Sequence, residues 1–508
     1  MAMMNVPEVL RSSPRALALI IGGLFVLHFV AQTFISWYRL RQFKGPRLAA
    51  FSRLWIVGAI ASERPDIRYR ETQDRYGAPL VRIAPDTLIT DDVEVVRRIN
   101  SVRNGYSRST WYHSFRIFPS QHNMISTTDD GLHDFIKSRT SAGYSFREVP
   151  SVEKDVDITI SSFVDMIRAN YLSTNVKTNP VDWALAAQYF TLDTLSKIAF
   201  GKEFGCLRAN EDVYDFLETS KKGMALQSIG AEVPLLRSIL TSPFFNLLAG
   251  PKTTDTKGIG SLIHIAEEAV SQRFGPDAKA VPDMLGSFVR SGLSREQCEA
   301  ESLLQVIAGS DSTAMATRCA VFFLSTTPHA YRRLQEEIDH AVAEGRISSF
   351  ATYAEAKALP YLQAVINETR RYFPSNVATF PKVVPPKGDT LAGQYVPGGT
   401  KIGINQRGLM RNKDMFGPDP DTFRPERWLE ATPEQRDKMV RHVDLLFGHG
   451  RYMCAGRSLA IMTLNKIIVE LLRQFDFQLI NLTKPWVEEV YTNIFVSNLW
   501  MRITERQL

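Results

Sequence analysis

The chain has 508 residues, of which 44% are hydrophobic and 22% charged, an ordinary composition for a globular protein with a sizeable core. Its formal net charge of +6 is mildly basic, but no run of five or more lysines and arginines occurs, which argues against a nucleic-acid partner. The four cysteines form no C-x-x-C pair, which excludes a paired-cysteine zinc site and argues against a disulfide framework. Any cysteine with a chemical role therefore acts alone.

The first predicted element is a long apolar helix near the N-terminus. Residues 16–38 carry no formal charge, and at about 1.5 Å per residue they can cross a bilayer core of roughly 30 Å. The segment ends in Trp37 and Tyr38, which are typical interfacial residues, and several arginines and lysines follow it. The sequence therefore predicts a single-pass transmembrane anchor, with residues 1–15 lumenal and the body of the protein cytosolic. A buried core helix is the alternative, which the length disfavours.

A basic hinge is predicted over residues 39–54, and one mainly helical domain with a minor β part over residues 55–508. No internal repeat or low-complexity linker divides this domain. Early in it, β-branched residues alternate on either side of Ala84-Pro85, which predicts two short strands joined by a turn. Residues 409–450 contain many prolines and are predicted to be irregular.

A very long helix is predicted in the second half of the chain. Ser294 and Gln297 form a capping box, and the helical pattern continues to Thr327, where Pro328 ends it. The resulting length of roughly 50 Å must cross the whole domain. Residues 308–313, AGSDST, are poor helix formers, so we expect a break in the hydrogen-bond ladder there. Further helices are predicted over residues 329–344, 359–374 and 458–475.

The segment FGHGRYMCAGR, near the C-terminus, places three glycines around Cys454. A thiolate that binds iron must stay unprotonated, and backbone N–H groups aimed at sulfur favour that state. Glycine lacks a Cβ and accepts positive φ, so Gly448, Gly450 and Gly456 suit a loop wrapped around a metal-bound sulfur. The helix that follows points its positive dipole end at the thiolate. The alternative is a buried free cysteine in a glycine turn.

The spacing F-x-x-G-x-x-x-C-x-G is matched by Phe447, Gly450, Cys454 and Gly456, and it resembles the haem-binding signature of the cytochrome P450 superfamily. The resemblance implies the P450 fold and a haem b cofactor with Cys454 as the axial ligand of iron. It also implies a monooxygenase that inserts one atom of O2 into a lipophilic small molecule.

Two further segments agree with this resemblance. Glu368 and Arg371 match the E-x-x-R motif, and FRPERW supplies Arg427. The resemblance implies that these three form a buried ion-paired triad that fixes the Cys454 loop, whereas a surface ion pair is the alternative for the first two residues.

In the long helix, AGSDST matches the acid–alcohol pattern that the family places over its haem. The resemblance implies that Ala308 and Gly309 leave room for dioxygen, and that Asp311 and Thr313 relay protons. A solvated polar patch is the alternative, but the apolar flanks of this segment disfavour it.

Propionate binding departs from the family pattern. His133 and Lys137 stand where the family has a His or Trp followed by Arg, so a bidentate clamp becomes a point charge. Tyr452 stands where Arg or His is usual and offers a donor without a charge, and Arg451 beside it is a candidate replacement. A tyrosine there is similar to a fungal branch of pisatin-demethylase-like enzymes, which suggests secondary metabolism.

The resemblance implies an enzyme of the endoplasmic reticulum membrane whose partners are membrane lipid and NADPH–cytochrome P450 reductase. No strand–G-x-G-x-x-G–helix unit occurs in the 508 residues. A basic face for the reductase is expected near the Cys454 loop, at Lys438, Arg441, Arg451 and Arg457; a merely solvated face is the alternative. Two other functions stay open: a same-fold haem isomerase or dehydratase that does not use O2, and a non-catalytic haem-binding membrane protein.

Substrate choice is expected to depend on residues 107–130, 376–381 and 494–498, together with the long helix before Asp311. The predicted lining is aromatic and apolar, with Trp111, Tyr112, Phe115, Phe118, Phe380 and Phe495.

Overall fold

The computed structural model describes residues 14–118 and 121–506, without the side chains of residues 14–16, 25, 26 and 29. The described residues are mainly helical with a small β part, as predicted, and residues 1–13 of the predicted lumenal segment lie outside them. The helices are α1 Pro14–Arg39, α2 Arg47–Phe51, α3 Leu54–Ala61, α4 Pro65–Tyr76, α5 Val93–Asn100, α6 Asp130–Tyr144, α7 Val152–Asn170, α8 Trp183–Phe200, α9 Cys206–Ala209, α10 Phe216–Glu232, α11 Pro234–Leu240, α12 Pro243–Ala249, α13 Gly258–Ser271, α14 Met284–Arg290, α15 Arg295–Ser325, α16 Pro328–Ala343, α17 Tyr353–Lys357, α18 Pro360–Tyr372, α19 Gln406–Leu409, α20 Lys413–Phe416, α21 Arg427–Glu430, α22 Pro433–Val443 and α23 Arg457–Leu472.

The strands are β1 Val81–Ala84, β2 Thr87–Thr90, β3 Ser107–Arg108, β4 Val181–Asp182, β5 Lys382–Val383, β6 Asp389–Leu391, β7 Gln394–Val396, β8 Lys401–Ile404, β9 Phe475–Leu479, β10 Val487–Val490, β11 Ile494–Ser497 and β12 Trp500–Glu505. Short 3₁₀ segments cover Val102–Asn104, Thr110–Phe115, Asp444–Phe447 and Gly450–Tyr452.

The N-terminal apolar segment forms α1 as one uninterrupted helix, so the helical part of that prediction is confirmed. The predicted hinge contains the short helix α2, which packs against α1 and β1, and Trp37 stacks on Phe51 with ring centroids 6.2 Å apart. Among the residues described above, no helix is both long enough and apolar enough to cross a membrane.

The largest sheet begins with the predicted hairpin, in which β1 and β2 are antiparallel. Its strand order is β1-β2-β8-β5-β3, and β2 runs parallel to β8. At the far edge, the antiparallel pair of β3 and β5 places Arg108 directly opposite Lys382. The described residues also form the hairpins β6-β7 and β10-β11 and a three-stranded sheet of order β4-β12-β9.

The long helix α15 crosses the main hydrophobic core and packs against α8, α13, α18 and α23. The capping box of Ser294 and Gln297 begins it, as predicted. The predicted break at residues 308–313 is wrong, because α15 stays helical through this segment. Its apolar flanks are buried on both sides, and tertiary packing of this kind outweighs weak helix propensity.

The other predicted helices are confirmed as α16, α18 and α23, with ends that differ by one to three residues. The prediction of an irregular segment over residues 409–450 is only partly correct, because α22 lies within it. Thr432 caps α22 by accepting a hydrogen bond from the Gln435 N–H at 3.2 Å. Pro433 occupies the first helical position, where its missing N–H costs nothing.

Candidate active site

The loop that contains Cys454 runs from the 3₁₀ segment ending at Phe447 to the start of α23. Gly448 and Gly450 have φ angles of 79° and 64°, in the left-handed region that glycine tolerates best. The N–H of Cys454 donates to the carbonyl of Phe447 at 2.7 Å, which closes the loop. The cysteine therefore lies immediately before the amino-terminus of a sixteen-residue helix.

Gly450 lies where only glycine fits. A Cβ at this position would be 2.4 Å from the carbonyl oxygen of Asn100, the last residue of α5. Gly456 is different: its φ is −79°, and a Cβ there would make an ordinary contact of 3.9 Å with the Cys454 Sγ. Positive φ, one of the two reasons for expecting glycine in this loop, therefore occurs at Gly448 and Gly450 but not at Gly456.

Cys454 is exposed, whereas the other three cysteines are buried. The protein around Cys454 nevertheless raises the pKa of its thiol by burial. The N–H of Gly456, the ammonium of Lys137 and the N–H of Arg457 act in the opposite direction, toward the thiolate. The loop thus presents donors and positive charge to one accessible sulfur, as a metal-binding thiolate requires.

The predicted E-x-x-R motif forms a buried ionic cluster. Glu368 accepts from Arg371 through both carboxylate oxygens, each at 2.8 Å, and from Arg427 at 3.0 Å. The indole of Trp428, which the sequence did not single out, donates to the same carboxylate at 2.9 Å. Burial raises the pKa of Glu368, but the hydrogen bonds and charges of the two arginines outweigh this effect and hold the pKa below its usual value.

The same cluster fixes the irregular segment that precedes the cysteine loop. Arg371 donates to the carbonyls of Met410 and Pro420 at 3.1 and 2.7 Å. Arg427 donates to the carbonyl of Thr422 at 3.0 Å. These bonds fold residues 410–424 around two guanidinium groups, so the triad acts on the cysteine loop through this segment rather than by direct contact.

A second link, which the sequence did not predict, joins α18 to the cysteine loop. Arg370 forms an ion pair with Asp444 at 2.8 Å, and Asp444 also pairs with Arg457. The guanidinium of Arg370 lies 4.8 Å from the ring centroid of Phe447. The adjacent arginines of ETRRY therefore have two tasks, one in the buried triad and one at the cysteine loop.

The AGSDST segment presents a small open face within an otherwise buried helix. Ala308 is exposed, whereas Thr313 is buried. A Cβ at Gly309 would lie 2.3 Å from the Leu195 Cδ1, so this glycine permits close packing of α15 on α8. The two small residues therefore have different roles: Ala308 borders open space, whereas Gly309 lies at the contact between α15 and α8.

Asp311 belongs to a polar network between α15 and α8. Its carboxylate accepts from Gln188 at 3.0 Å, and Gln188 accepts from Arg318 at 2.8 Å. Burial raises the pKa of Asp311 to about 6, against the opposing effects of Arg318, Gln188 and Asn493. Asp311 can therefore gain and lose a proton close to neutral pH.

The predicted propionate residues of α6 lie beside the cysteine loop. His133 is buried with its ring centroid 4.8 Å from that of Tyr452, and burial lowers its pKa to about 4. Lys137 donates to the carbonyl of Met453 at 3.0 Å and to that of Arg451. Arg139, in contrast, donates to the Ser291 carbonyl at 2.8 Å and is not part of this cluster.

Arg451 and Tyr452 both engage acidic residues at the start of α6. Arg451 pairs with Asp130 and, at 3.4 Å, with Asp134. The Tyr452 hydroxyl also donates to Asp130. Burial and this hydrogen bond raise the pKa of Tyr452 to about 12, so the phenol stays neutral.

Two buried cations, which the sequence did not single out, face the Tyr452 ring. The Lys382 Nζ lies 3.3 Å from the ring centroid, and the Arg108 guanidinium lies 4.3 Å from it. Arg108 donates to the carbonyls of Met124 and Ile125 at 2.6 and 3.0 Å. Lys382 is 1% exposed, its Nζ has no hydrogen-bond partner among the described residues, and burial lowers its pKa strongly.

Like charges directly opposite each other on neighbouring strands destabilise a sheet, so an anion bound near Arg108 and Lys382 would stabilise this pair. Neither forms an ion pair within the described residues. The site thus combines an accessible thiol at a helix amino-terminus with an unneutralised pair of buried cations. This donor set fits a haem, whose iron takes a thiolate and whose propionates take cations, and it defines the class of haem-thiolate proteins.

The comparisons agree with this class. The cytochrome P450 family model matches residues 55–498, so the chain belongs to the cytochrome P450 family. The haem domain of cytochrome P450DA has the same fold, with a TM-score of 0.71 at 17% identity over 87% of this chain and 93% of that one. Family members are haem-thiolate enzymes with a cysteine axial ligand, which confirms the predicted fold and cofactor.

Curated relatives extend the comparison to activity. The chain is 41% identical to cytochrome P450 monooxygenase ABA1 of Pyricularia oryzae over 93% of this chain and 94% of that protein. It is 40% identical to aba1 of Botryotinia fuckeliana over 92% of both chains, and 29% identical to gsfF of Penicillium aethiopicum over 93% and 96%. The protein is thus a cytochrome P450 monooxygenase, as the sequence indicated.

The buried triad gives the first prediction. Glu368→Gln removes the carboxylate that pairs with Arg371 and leaves Arg427 only its ion pair with Asp419 at 3.0 Å, so the free energy of unfolding should fall by about 3–5 kcal/mol. Urea denaturation followed by circular dichroism measures this change. Glu344→Gln is the control, because Glu344 pairs with Arg346 in solvent and should change stability by at most about 0.5 kcal/mol. Equal losses in the two variants would contradict the importance of burial.

Proposed function

We propose that this monooxygenase oxidises a lipophilic small molecule of fungal secondary metabolism, with electrons from NADPH–cytochrome P450 reductase. The observation that carries the proposal is the glycine-rich loop that presents Cys454 at the amino-terminus of α23. The names of the relatives, all cytochrome P450 monooxygenases from fungi, support it.

Cys454 is the proposed axial ligand of the haem iron. A bound haem would supply the activation of dioxygen: one oxygen atom would enter the substrate, and the other would leave as water with two electrons from the reductase and two protons. The chain itself holds the sulfur in place, through the closed loop and the contacts of Phe447 and Gly450 with Arg370 and Asn100. The backbone N–H groups of Gly456 and Arg457 donate hydrogen bonds to the sulfur. These bonds limit the electron density on the sulfur and favour the unprotonated thiolate.

Arg108 and Lys382 are the proposed main cations for the propionates. These two cations supply the positive charge that the family usually has at position 452 and that Tyr452 lacks. His133 and Tyr452 are not proposed as donors, because the His133 Nδ1–H and the Tyr452 hydroxyl already bond the carboxylates of Asp134 and Asp130. Tyr452 directs its hydroxyl to Asp130 and offers its ring face to the two cations. Lys137 is already committed to loop carbonyls, so its proposed role is to hold residues 451–453 rather than to meet a propionate directly.

Asp311 and Thr313 are the proposed proton relay, and Ala308 provides space on the same helix. Asp311 supplies the group with a pKa near neutrality, and its contact with Gln188 keeps the carboxylate oriented. Thr313 lies two residues further along α15 and carries the alcohol of the acid–alcohol pair. The relay moves protons from the interior network to the site where dioxygen is reduced.

The proposed reductase surface surrounds the cysteine loop. Of its four candidate residues, Lys438 pairs with Glu434 at 2.8 Å, and Arg451 and Arg457 pair with acidic residues of this chain. Arg441 is exposed and forms no ion pair within the described residues, so it offers the most available charge for an acidic partner.

The proposed location is the endoplasmic reticulum membrane, with the catalytic domain in the cytosol. The uncharged sequence of residues 16–38 supports an anchor, and Leu19, Leu24 and Leu27 of α1 are largely exposed. A second exposed apolar group lies on α11 and α12, and large exposed patches of this kind mark membrane or protein contacts. Its members are Leu235, Ile239, Phe244, Leu247 and Leu248.

Lys382→Met should have opposite effects on the apoprotein and on haem binding. Removal of an unpartnered buried cation should stabilise the apoprotein, whereas loss of a propionate partner should speed haem transfer to apomyoglobin by roughly tenfold, about 1.4 kcal/mol. Lys466→Met is the matched control: Lys466 is also 1% exposed but pairs with Glu153 at 2.9 Å and Asp157 at 2.8 Å. The control should destabilise the apoprotein and leave haem transfer unchanged; the same pattern for both lysines would refute the assignment.

Asp311→Asn should remove a pH dependence. The wild-type carboxyl holds its proton below pH 6 and loses it above, so product formed per NADPH should fall as pH rises through about 6. The variant should lose this inflection and about 10²-fold of its turnover. Ser312→Ala is the control, since the Ser312 hydroxyl bonds back to its own helix, to the Ala308 carbonyl at 3.0 Å and the Gly309 carbonyl at 3.5 Å. An inflection near pH 6 that survives in Asp311→Asn would exclude Asp311.

The anchor can be tested with charges. The triple variant Leu19→Lys, Leu24→Lys, Leu27→Lys should release the protein from membranes, because each lysine near the middle of a span costs about 3 kcal/mol. Sedimentation after an alkaline wash measures integral association. Val176→Lys, at an exposed apolar residue of the domain surface, should remain in the pellet. Continued sedimentation of the triple variant would disprove the anchor.

A further inference from the structure

A cavity of about 180 Å³ lies between α10, the connection of α11 to α12 and the end of the 3₁₀ segment Thr110–Phe115. It has room for several water molecules and is therefore large enough for a small polar group of a ligand. Its wall contains one charged side chain, that of Arg116, and among the described residues that form it none is acidic or aromatic. Leu226 and Leu240 supply apolar contacts. The cavity thus combines one positive charge with apolar surface.

Arg116 brings unused hydrogen-bond donors to this cavity. Its guanidinium has five N–H donors, and the structure gives it one bond, from Nη2 to the Thr241 carbonyl at 2.6 Å. Arg116 forms no ion pair within the described part of the chain. Other polar side chains of the wall are occupied: Gln227 donates to the Ser114 carbonyl at 2.6 Å, and the Thr241 hydroxyl to the Arg237 carbonyl at 2.9 Å. Most of the guanidinium is therefore available to a ligand.

The surroundings of Arg116 carry positive charge and little acid. The chain segments 107–128 and 233–254, which contain Arg116 and α11, have no aspartate or glutamate. Glu232, at the end of α10, accepts from the Trp111 indole at 2.8 Å rather than from Arg116. Burial lowers the pKa of His113 and of His122, and the charge of Arg116 lowers both further. A positive charge that acts on two neighbouring imidazoles is one that an anion would stabilise.

The cavity lies beside exposed apolar surface. Leu240 directly follows Ile239, and Asn246 directly precedes Leu247. Ile239 and Leu247 belong to the exposed apolar group of α11 and α12 and are 48% and 73% exposed. On the other side, α10 packs against α3, α3 against α2, and α2 against α1, which connects the cavity with the proposed anchor. Leu54, at the start of α3, is 65% exposed as well. Positive charge beside exposed apolar side chains is the pattern that binds anionic membrane surfaces.

We propose that this cavity binds the headgroup of an anionic phospholipid, an inference that rests on the proposed membrane location. The planar guanidinium of Arg116 pairs with two phosphate oxygens at once. The exposed apolar side chains of α11 and α12 contact the acyl chains. A choline headgroup is disfavoured, because its quaternary ammonium needs a carboxylate or an aromatic face and the wall offers neither. A lipid held by Arg116 fixes the depth of α11 and α12 at the membrane surface.

The test measures which lipids stay bound to the full-length haem-loaded protein. The protein is placed in nanodiscs with equal amounts of phosphatidylglycerol and phosphatidylcholine of the same acyl chains, and native mass spectrometry counts the lipids that remain after release into mild detergent. The wild-type protein should retain phosphatidylglycerol preferentially. Arg116→Gln should reduce this preference about tenfold, the equivalent of one charge-assisted hydrogen bond. Gly223→Leu should also reduce it, because a Cβ at Gly223 meets no atom within 4 Å, so the leucine fills the cavity without strain or a change of charge.

Two matched controls should keep the wild-type preference. Arg332→Gln removes an exposed arginine of α16 that forms no ion pair among the described residues. Gly58→Leu adds a leucine on α3, where a Cβ also meets no atom within 4 Å.

The proposal is overturned if Arg116→Gln or Gly223→Leu keeps the wild-type preference, or if Arg332→Gln reduces it equally, as a general effect of charge. It is also overturned if glycerol phosphate, the same headgroup chemistry without acyl chains, competes as well as the lipid does. The reduced, carbon-monoxide-bound spectrum and the alkaline wash report thiolate ligation and the anchor separately. A normal spectrum and a membrane pellet without lipid preference would reject the headgroup site alone, whereas loss of the wild-type protein from the pellet would reject the proposed location.

Discussion

The carboxylate of Glu368 is the interaction on which the cysteine side of the molecule depends. It receives two guanidinium groups and an indole N–H in a place that water does not reach. Desolvated charges are stable only when every hydrogen-bonding group is used, and here the arginines use their remaining N–H groups on carbonyls of residues 410–424. Residues 410–424 lack the hydrogen-bond ladder of a long helix or a sheet. The side-chain bonds from the two arginines therefore fix the path of this segment toward the Cys454 loop.

The second cluster of charges, Arg108 and Lys382, has no counter-charge among the described residues, whereas the charges of the Glu368 cluster are paired. Arg108 and Lys382 face each other across two short strands, with an aromatic face but no carboxylate between them. The Glu368 cluster fixes the path of the backbone, whereas Arg108 and Lys382 have no counter-charge among the described residues, so an anionic ligand would stabilise them. Tyr452 combines a paired group with an unpaired charge nearby: its hydroxyl donates to Asp130, and its ring faces the two cations.

Sequence reasoning predicted the parts of the candidate site that are encoded by short spacings. The cysteine loop, the E-x-x-R pair and the acid–alcohol segment lie within single elements, so their geometry follows from helix periodicity and from glycine conformation. It missed Lys382 and Arg370, because their roles arise from strand register and from contacts between residues far apart in the chain. A lone lysine in an apolar strand was the available signal. The expected helix break failed for the same reason, since packing decided the outcome.

Arg108 also links the cation pair to a second part of the molecule. The same guanidinium that faces Lys382 also holds the carbonyls of Met124, Ile125 and Thr127, in the segment expected to border the substrate. Any anion that draws on this side chain therefore alters the order of that segment, and by reciprocity a molecule that orders the segment alters the hold on the anion. With the propionate assignment proposed above, cofactor retention and substrate affinity are coupled through the side chain of Arg108.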